Sequence, residues 1–395
     1  MNSFILTIDS TDGGIRDDIQ LTNGVGTQAL VLNLGEFDHL YNFLQDDNNV
    51  FAIASYIAES YHTLNKTSIW VDMGGEGFNH RCLSGFDKVV KCLINNFGFT
   101  ASNLYYRSGV IDIPENHNMY LKQCIKFGWV PLNLICMNTF ESGTNISDNA
   151  LSATEENLTP RKKNKIFTSL NRSPRDHRLY IIGEILRRRL DSKSYFSAHV
   201  DSNVMPAIES NDFDFLQKHL PNHWKRTAES IYANRKRFPF RLNLGENYVS
   251  QQFMNVTDSD INHYTSSYFH LVTETKFFHD YRDTDPLLHC HEVCMDCYFF
   301  TEKTYKAIVG RVPFILVGFT GALAALRKRG YQTFHPFINE SYDLIDNDED
   351  RLDAIMQEVD RLSKFSDQEW LVWQENVIPI VEHNFNLIRS RQVFG

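Results

Sequence analysis

Three stretches of this chain combine residue types that could carry chemistry, two of them suited to an anion and one presenting a carboxylate, and a fourth has the composition of a metal site. In the stretch IFTSLNRSPRDHR, residues 166–178, an apolar run ends at Asn171 and an amphipathic pattern begins at Asp176. Arg172, Arg175 and Arg178 fall three apart across the turn between them. A helix starting there adds free N–H groups and the positive end of its dipole. Guanidinium groups grip phosphate oxygens through paired hydrogen bonds. The plainer account makes these arginines surface partners of the acidic C-terminal region.

The second stretch is FFTEKTYK, residues 299–306. Thr301 has the chemistry of an N-cap, and Glu302 and Lys303 would open the helix. Glu302 there is explained by capping alone. A lysine in the first turn is opposed by the dipole unless an anion also lies there. In that case Glu302 would take ribose hydroxyls and Lys303 a phosphate. The third stretch is IWVDMGGEGFNH, residues 69–80. A strand pattern ends in a glycine-rich turn that would present Glu76 at the strand's carboxyl edge and let the backbone approach a ligand. Asp72 and His80 flank it. The fourth stretch runs from His289 to Cys297 and holds three cysteines and two histidines. Structural zinc is usually held by two ligand pairs from separate places, and no second Cys-x-x-Cys exists in the chain. The expectation is therefore free thiols and no bound metal.

The elements that must position these residues alternate. Strand patterns cover 4–8, 29–34, 68–73, 104–106 and 132–137, with helical spacing at 50–64, 86–95 and 119–127 between them. The alternation resumes with strands at 165–170, 195–200, 268–273, 313–317 and 332–334 and helices at 176–190, 211–219, 223–234, 303–309 and 322–328. Two long helices, 348–364 and 367–390, close the chain. Such alternation predicts α/β domains with doubly wound sheets, which bind ligands at the carboxyl ends of their strands. Between them, residues 141–164 are polar and lack an apolar period, which predicts a linker. The expected organisation is an acceptor-side domain at 1–140, a linker at 141–164, a nucleotide-binding domain at 165–346 and C-terminal helices at 347–395.

The 395 residues suffice for two domains, and 42% hydrophobic with 22% charged residues excludes disorder, collagen and coiled coil as the main state. The net charge of −10 excludes a general nucleic-acid coat protein. The charge is uneven: 161–190 carries ten Lys/Arg against two acids, 225–241 six against one, and 340–369 three against eleven. No apolar run approaches the ~18 residues that span a bilayer, and the N-terminus lacks the pattern of a signal peptide. A soluble, cytoplasmic protein without a membrane anchor is expected.

The stretch FFTEKTYKAIVGRVPFILVG, residues 299–318, resembles the donor-binding motif of the α-1,3-fucosyltransferases, in which Tyr-x-Thr-Glu-Lys opens a helix that precedes an apolar strand starting at Pro. Residues 166–178 look like the strand and Arg-bearing loop that open that family's nucleotide domain. Phe269 to Glu274 is similar to its Phe-x-Leu-x-x-Glu strand, with Thr275 where the family usually has Asn. The region 165–345 also looks like bacteriophage and viral proteins that carry a fucosyltransferase-like half. The resemblance implies a GT-B glycosyltransferase with two Rossmann-like domains facing a cleft. It implies inversion at the anomeric carbon, no cofactor and no metal. The donor, a nucleoside diphosphate sugar of the GDP-fucose type, would lie against Asn171, Arg172, Arg175, Arg178, Glu274, Thr301, Glu302 and Lys303. Glu76 would be the general base, with Asp72 and His80 as alternatives. The acceptor would be a glycan hydroxyl or a hydroxymethylated DNA base, the latter held by the basic runs at 161–165 and 225–241 and flipped from the duplex. The alternative is a non-catalytic nucleotide- or glycan-binding protein that keeps this fold.

Overall fold

The computed structural model describes residues 4–7, 18–23, 29–33, 44–63, 68–73, 80–171, 174–198, 204–240, 255–278 and 297–393. They form two compact units: residues up to Thr139 with the segment Cys297–Phe299, and Phe140–Phe278 with the chain from Phe300 onward. Each is α/β, with parallel strands and helices between them. Among the described residues no helix is long and apolar enough to cross a membrane.

The first unit holds β1 (Phe4–Thr7), β2 (Asp18–Asn23), β3 (Ala29–Asn33), α1 (Asp47–Thr63), β4 (Ser68–Met73), α2 (His80–Phe97), β5 (Leu104–Ser108), α3 (Pro114–Phe127) and β6 (Asn133–Cys136). α1 forms because Val50, Ile53, Ala54, Ile57 and Ala58 recur on one helical face, and that face is buried. α3 starts on Pro114, which has no N–H to leave unpaired, and stops at Gly128, which takes the left-handed conformation at φ 67°. The sheet runs β1-β2-β3-β4-β5-β6, antiparallel across the first three strands and parallel from β3 onward. This order corrects the doubly wound expectation for this unit. The parallel strands follow in sequence with no reversal, so right-handed crossovers put α1, α2 and α3 on one face. The Phe51 and Phe97 rings of α1 and α2 meet at 5.6 Å.

The second unit begins with α4 (Thr139–Gly143) and α5 (Asp148–Thr154). Residues 141–164 are therefore not a linker. Glu141 is buried and accepts from Arg329 Nη2 at 2.9 Å, from the Tyr331 hydroxyl at 2.8 Å and from Arg391. The Arg161 backbone exchanges two hydrogen bonds with the Gln374 amide, and Lys163 N donates to the Tyr268 hydroxyl. The segment reads as polar because its polar groups pair with residues far along the chain. Limited trypsin digestion of the native protein is accordingly expected to spare Arg161, Lys162 and Lys163. A first cut there, seen by mass spectrometry of the fragments, would show the segment to be open.

The remaining elements are β7 (Lys165–Asn171), α6 (Asp176–Arg187), β8 (Ser194–Ala198), α7 (Val204–Ser210), α8 (Asp214–His219), α9 (Trp224–Ala233), α10 (Ile261–Thr265), β9 (Ser267–Thr273), α11 (Glu302–Val309), β10 (Phe314–Val317), α12 (Ala322–Lys328), α13 (Asp348–Leu362) and α14 (Asp367–Val393). The sheet order is β10-β9-β7-β8, all parallel. β9 is buried along its whole length, as a strand covered on both faces is, and its polar Ser267, His270 and Thr273 are hydrogen-bonded within the fold. From β7 the chain goes first to one side, to β8, and then to the other, to β9. The carboxyl ends of β7 and β9 thus flank a topological switch point, where open α/β sheets bind ligands. Residues 332–334 are not a strand. Gln332 exchanges two hydrogen bonds of 2.8 Å with the side-chain amide of Asn384 on α14, which supplies the pairing that a strand would have needed.

Candidate functional site

The switch point is built on a layer of committed polar groups. Asn171, the last residue of β7, is 1% exposed. Its carbonyl oxygen accepts from Thr273 Oγ1 at 2.8 Å, and its amide donates to Ser169 Oγ at 3.0 Å and to Ser197 O. It joins the ends of β7, β8 and β9. Arg178, on the first turn of α6, is buried and donates through Nη2 to the carbonyls of Thr273 and Glu274 at 3.2 and 3.1 Å. His177 beside it stacks on Phe277 at 5.2 Å and meets Glu274 O at 2.9 Å through Nε2. A carbonyl only accepts, so Nε2 carries the proton. Burial holds the His177 imidazole well below its ordinary pKa, and the neighbouring Arg178 charge acts the same way. It stays neutral in the fold, so stability falls as the pH drops below the ordinary imidazole value and only the unfolded chain takes up that proton.

Above this layer, Glu274 closes the amino end of α11. Its carboxylate accepts from Thr301 N at 3.2 Å, Thr301 Oγ1 at 2.7 Å, Thr304 Oγ1 at 2.5 Å and Thr275 N at 3.1 Å, and the residue is 2% exposed. Thr301 occupies the N-cap position, but its side chain makes no capping bond and turns to Glu274 instead. A carboxylate on the far side of a strand-to-helix gap thus does what the sequence assigned to Thr301 and Glu302. It satisfies orphan N–H groups and meets the positive dipole end.

Lys303 reaches over this arrangement. Its ammonium donates to Glu302 Oε1 at 2.8 Å, Thr301 Oγ1 at 3.0 Å and Thr275 Oγ1 at 3.4 Å. Burial pushes its pKa below the ordinary lysine value, countered by the Glu302 charge, while 27% of the side-chain surface remains in contact with solvent. Arg175 stands at the N-cap of α6, half-buried.

Of the residues expected to touch a donor, Asn171, Arg178, Glu274 and Thr301 are buried and bonded to protein groups. Arg175, Glu302 and Lys303 are the partly exposed ones. Arg172 and Glu76 lie outside the described residues, as do His289, Cys290, His291 and Cys294. Glu76 belongs to the connection between β4, which ends at Met73, and α2, which starts at His80. Thr275 and Thr304 were missed by sequence reasoning. The Thr-x-x-Thr spacing of 301 and 304 was the available signal for the second. Arg351 was also missed: it is fully buried 33 residues beyond Gly318, donates to the carbonyls of Gly318 and Phe277, and stacks over the Phe277 ring at 4.3 Å.

Several residues of the basic runs pair with acids inside the second unit. Arg187, Arg188 and Arg226 surround the buried Glu184, Arg226 also pairs with Asp353, Arg237 with Asp191, Arg161 with Glu156 and Lys162 with Asp367. Of these pairs, Arg226–Asp353 and Lys162–Asp367 reach the acidic run at 340–369, whereas Arg178 is buried and donates to backbone carbonyls rather than to that run. No protein-family model, curated protein or solved structure matches the chain.

Proposed function

We propose that the second unit binds a nucleoside diphosphate sugar at its switch point and that the protein is an inverting glycosyltransferase of GT-B type. The observation that carries the reading is Lys303. A lysine is held in the first turn of a helix, against the dipole, at the point where the strand order reverses. A diphosphate would replace Glu302 as its partner and release that carboxylate to ribose hydroxyls. Arg175 adds charge for the phosphates, and Arg172 is proposed to do the same. In the reaction an acceptor oxygen attacks the anomeric carbon, the bond from that carbon to the diphosphate oxygen breaks, and the acceptor proton passes to Glu76. Cations and helix amino ends at the site stabilise the charge gained by the leaving diphosphate. No metal is needed for these steps. A glycan is the favoured acceptor over a hydroxymethylated DNA base, because the net charge of −10 weighs against a DNA partner and the sequence carries no base-reading motif. Action in the cytoplasm is part of the same proposal.

Lys303→Ala is expected to weaken nucleoside diphosphate binding by 1.5–3 kcal/mol or so, the worth of a charge-assisted hydrogen bond, which is roughly 10- to 150-fold. Its melting temperature should change little, since the pair with Glu302 is partly solvated. Titration calorimetry with GDP, UDP and ADP reads the affinity. Unchanged affinity in both Lys303→Ala and Arg175→Ala would place the nucleotide elsewhere. Binding without diphosphate release, across a panel of nucleotide sugars and glycan and hydroxymethyl-DNA acceptors, would identify a non-catalytic binding protein instead.

A further inference from the structure

At the carboxyl ends of β5 and β6 in the first unit, three side chains from separate segments converge. Asp112 follows β5, His117 lies in the first turns of α3, and Cys136 ends β6. His117 Nε2 is 3.0 Å from Asp112 Oδ1 and 3.5 Å from Cys136 Sγ. All three ligand atoms lie within 4.8 Å of one another. The frame around them is well tied. Asn116, fully buried, donates to the carbonyls of Ile111 and Tyr298 at 2.8 and 3.0 Å and accepts from Tyr298 N at 2.7 Å. Met137 N donates to Ser108 O at 2.8 Å and holds the end of β6 to that of β5. Cys297, next to Tyr298, is buried and lies within electrostatic reach of Cys136.

A cysteine, a histidine and an aspartate suggest a nucleophilic relay, but the geometry argues against one. In a relay the acid orients one ring nitrogen while the other faces the thiol. Here the carboxylate and the sulfur both address Nε2, which has a single proton or a single lone pair to offer. An ion pair of Asp112 with His117 accounts for the carboxylate and leaves the sulfur unexplained. One cation between the three atoms accounts for all of them. With zinc bonds of about 2.0 Å to N and O and 2.3 Å to S, tetrahedral edges come to roughly 3.3 Å for N···O and 3.5 Å for N···S. The N···O separation of 3.0 Å needs to change by only a few tenths of an ångström and the N···S separation of 3.5 Å already fits, while the oxygen and the sulfur lie within 4.8 Å of each other.

We propose that Asp112, His117 and Cys136 are three ligands of a divalent cation of the zinc class. The mixed oxygen, nitrogen and sulfur set excludes magnesium and calcium as natural occupants. This site is not the cysteine-rich stretch singled out in the sequence, although it lies beside that stretch's last residue. Burial, then Asp112, then Cys297 push the Cys136 thiol up to about 12, so metal uptake must displace a proton. The inference is independent of the glycosyltransferase reading.

The test uses the full chain, stripped of metal with a chelator and titrated with Co²⁺ as a spectroscopic stand-in for Zn²⁺. One equivalent is expected to bind, with a thiolate-to-cobalt charge-transfer band that Zn²⁺ abolishes. Cys136→Ser should remove the band. His117→Ala and Asp112→Asn should each weaken binding by more than the 10- to 100-fold or so lost with an outer hydrogen-bond partner. Their side chains are 43% and 60% exposed, so both variants should fold, which circular dichroism checks. A double Cys290→Ser/Cys294→Ser variant should keep the band. No band in the parent protein would overturn the proposal. A band that survives Cys136→Ser and vanishes in the double variant would do the same, and would return the metal to the cysteine-rich stretch.

Discussion

Glu274→Ala is expected to destabilise the second unit by about 3–5 kcal/mol, the cost of leaving a buried charge-assisted network without its central partner. Four donors lose their acceptor at once: the backbone N–H groups of Thr275 and Thr301 and the hydroxyls of Thr301 and Thr304. The residue is 2% exposed, so water does not readily take over. The amino end of α11 also loses the anion facing its dipole. Glu274→Gln should cost less, about 1–3 kcal/mol, because one oxygen is kept and the two hydroxyls can rotate to accept from the new amide. Urea unfolding reads both losses, and faster hydrogen exchange along β9 would localise them. If Glu274→Ala loses under ~1 kcal/mol while nucleotide affinity collapses, the carboxylate serves the ligand and its role as a scaffold is wrong.

Glu76→Gln is expected to slow glycosyl transfer by about 10²- to 10⁴-fold, the contribution of a general base. Donor affinity should not change, since the donor would be held by the second unit. The reasoning is positional. Glu76 lies four residues ahead of α2, too far to cap it, and in the connection that follows the carboxyl end of a parallel strand. A carboxylate there contributes little to folding, so stability should be nearly unaffected. Asp72→Asn is the control. Asp72 lies inside β4, in register with Asn33 and Arg107, and would act through stability. Transfer that stays normal in Glu76→Gln and fails in Asp72→Asn or His80→Ala would reassign the base. If all three variants transfer at the parent rate, the acceptor-side reading falls and only the donor site stands.

Local features were legible in the sequence because their causes lie within one or two turns of chain. The apolar spacing of α1, α6, α13 and α14 marks them without help from the rest of the fold, as does the unbroken apolar run of β10. The start of α11 at Glu302 was likewise readable from Thr301, Glu302 and Lys303. β2 escaped notice because the run DIQLTN has only Ile19 and Leu21 as apolar alternates, and pairing with β1 and β3 makes it a strand. Strand order was not legible at all: the same alternation of strands and helices gives a sequential sheet in one unit and a reversing one in the other. The polar residues 141–164 were read as a linker because Glu141 has its partners at Arg329 and Arg391, about 190 and 250 positions away. Glu274 and Thr301 are 27 residues apart, and Asp112, His117 and Cys136 come from three segments. Propensity and capping act between neighbours and are written in the sequence. A buried polar group takes whichever partner the packed chain brings within about 3 Å, and only the tertiary structure decides which one that is.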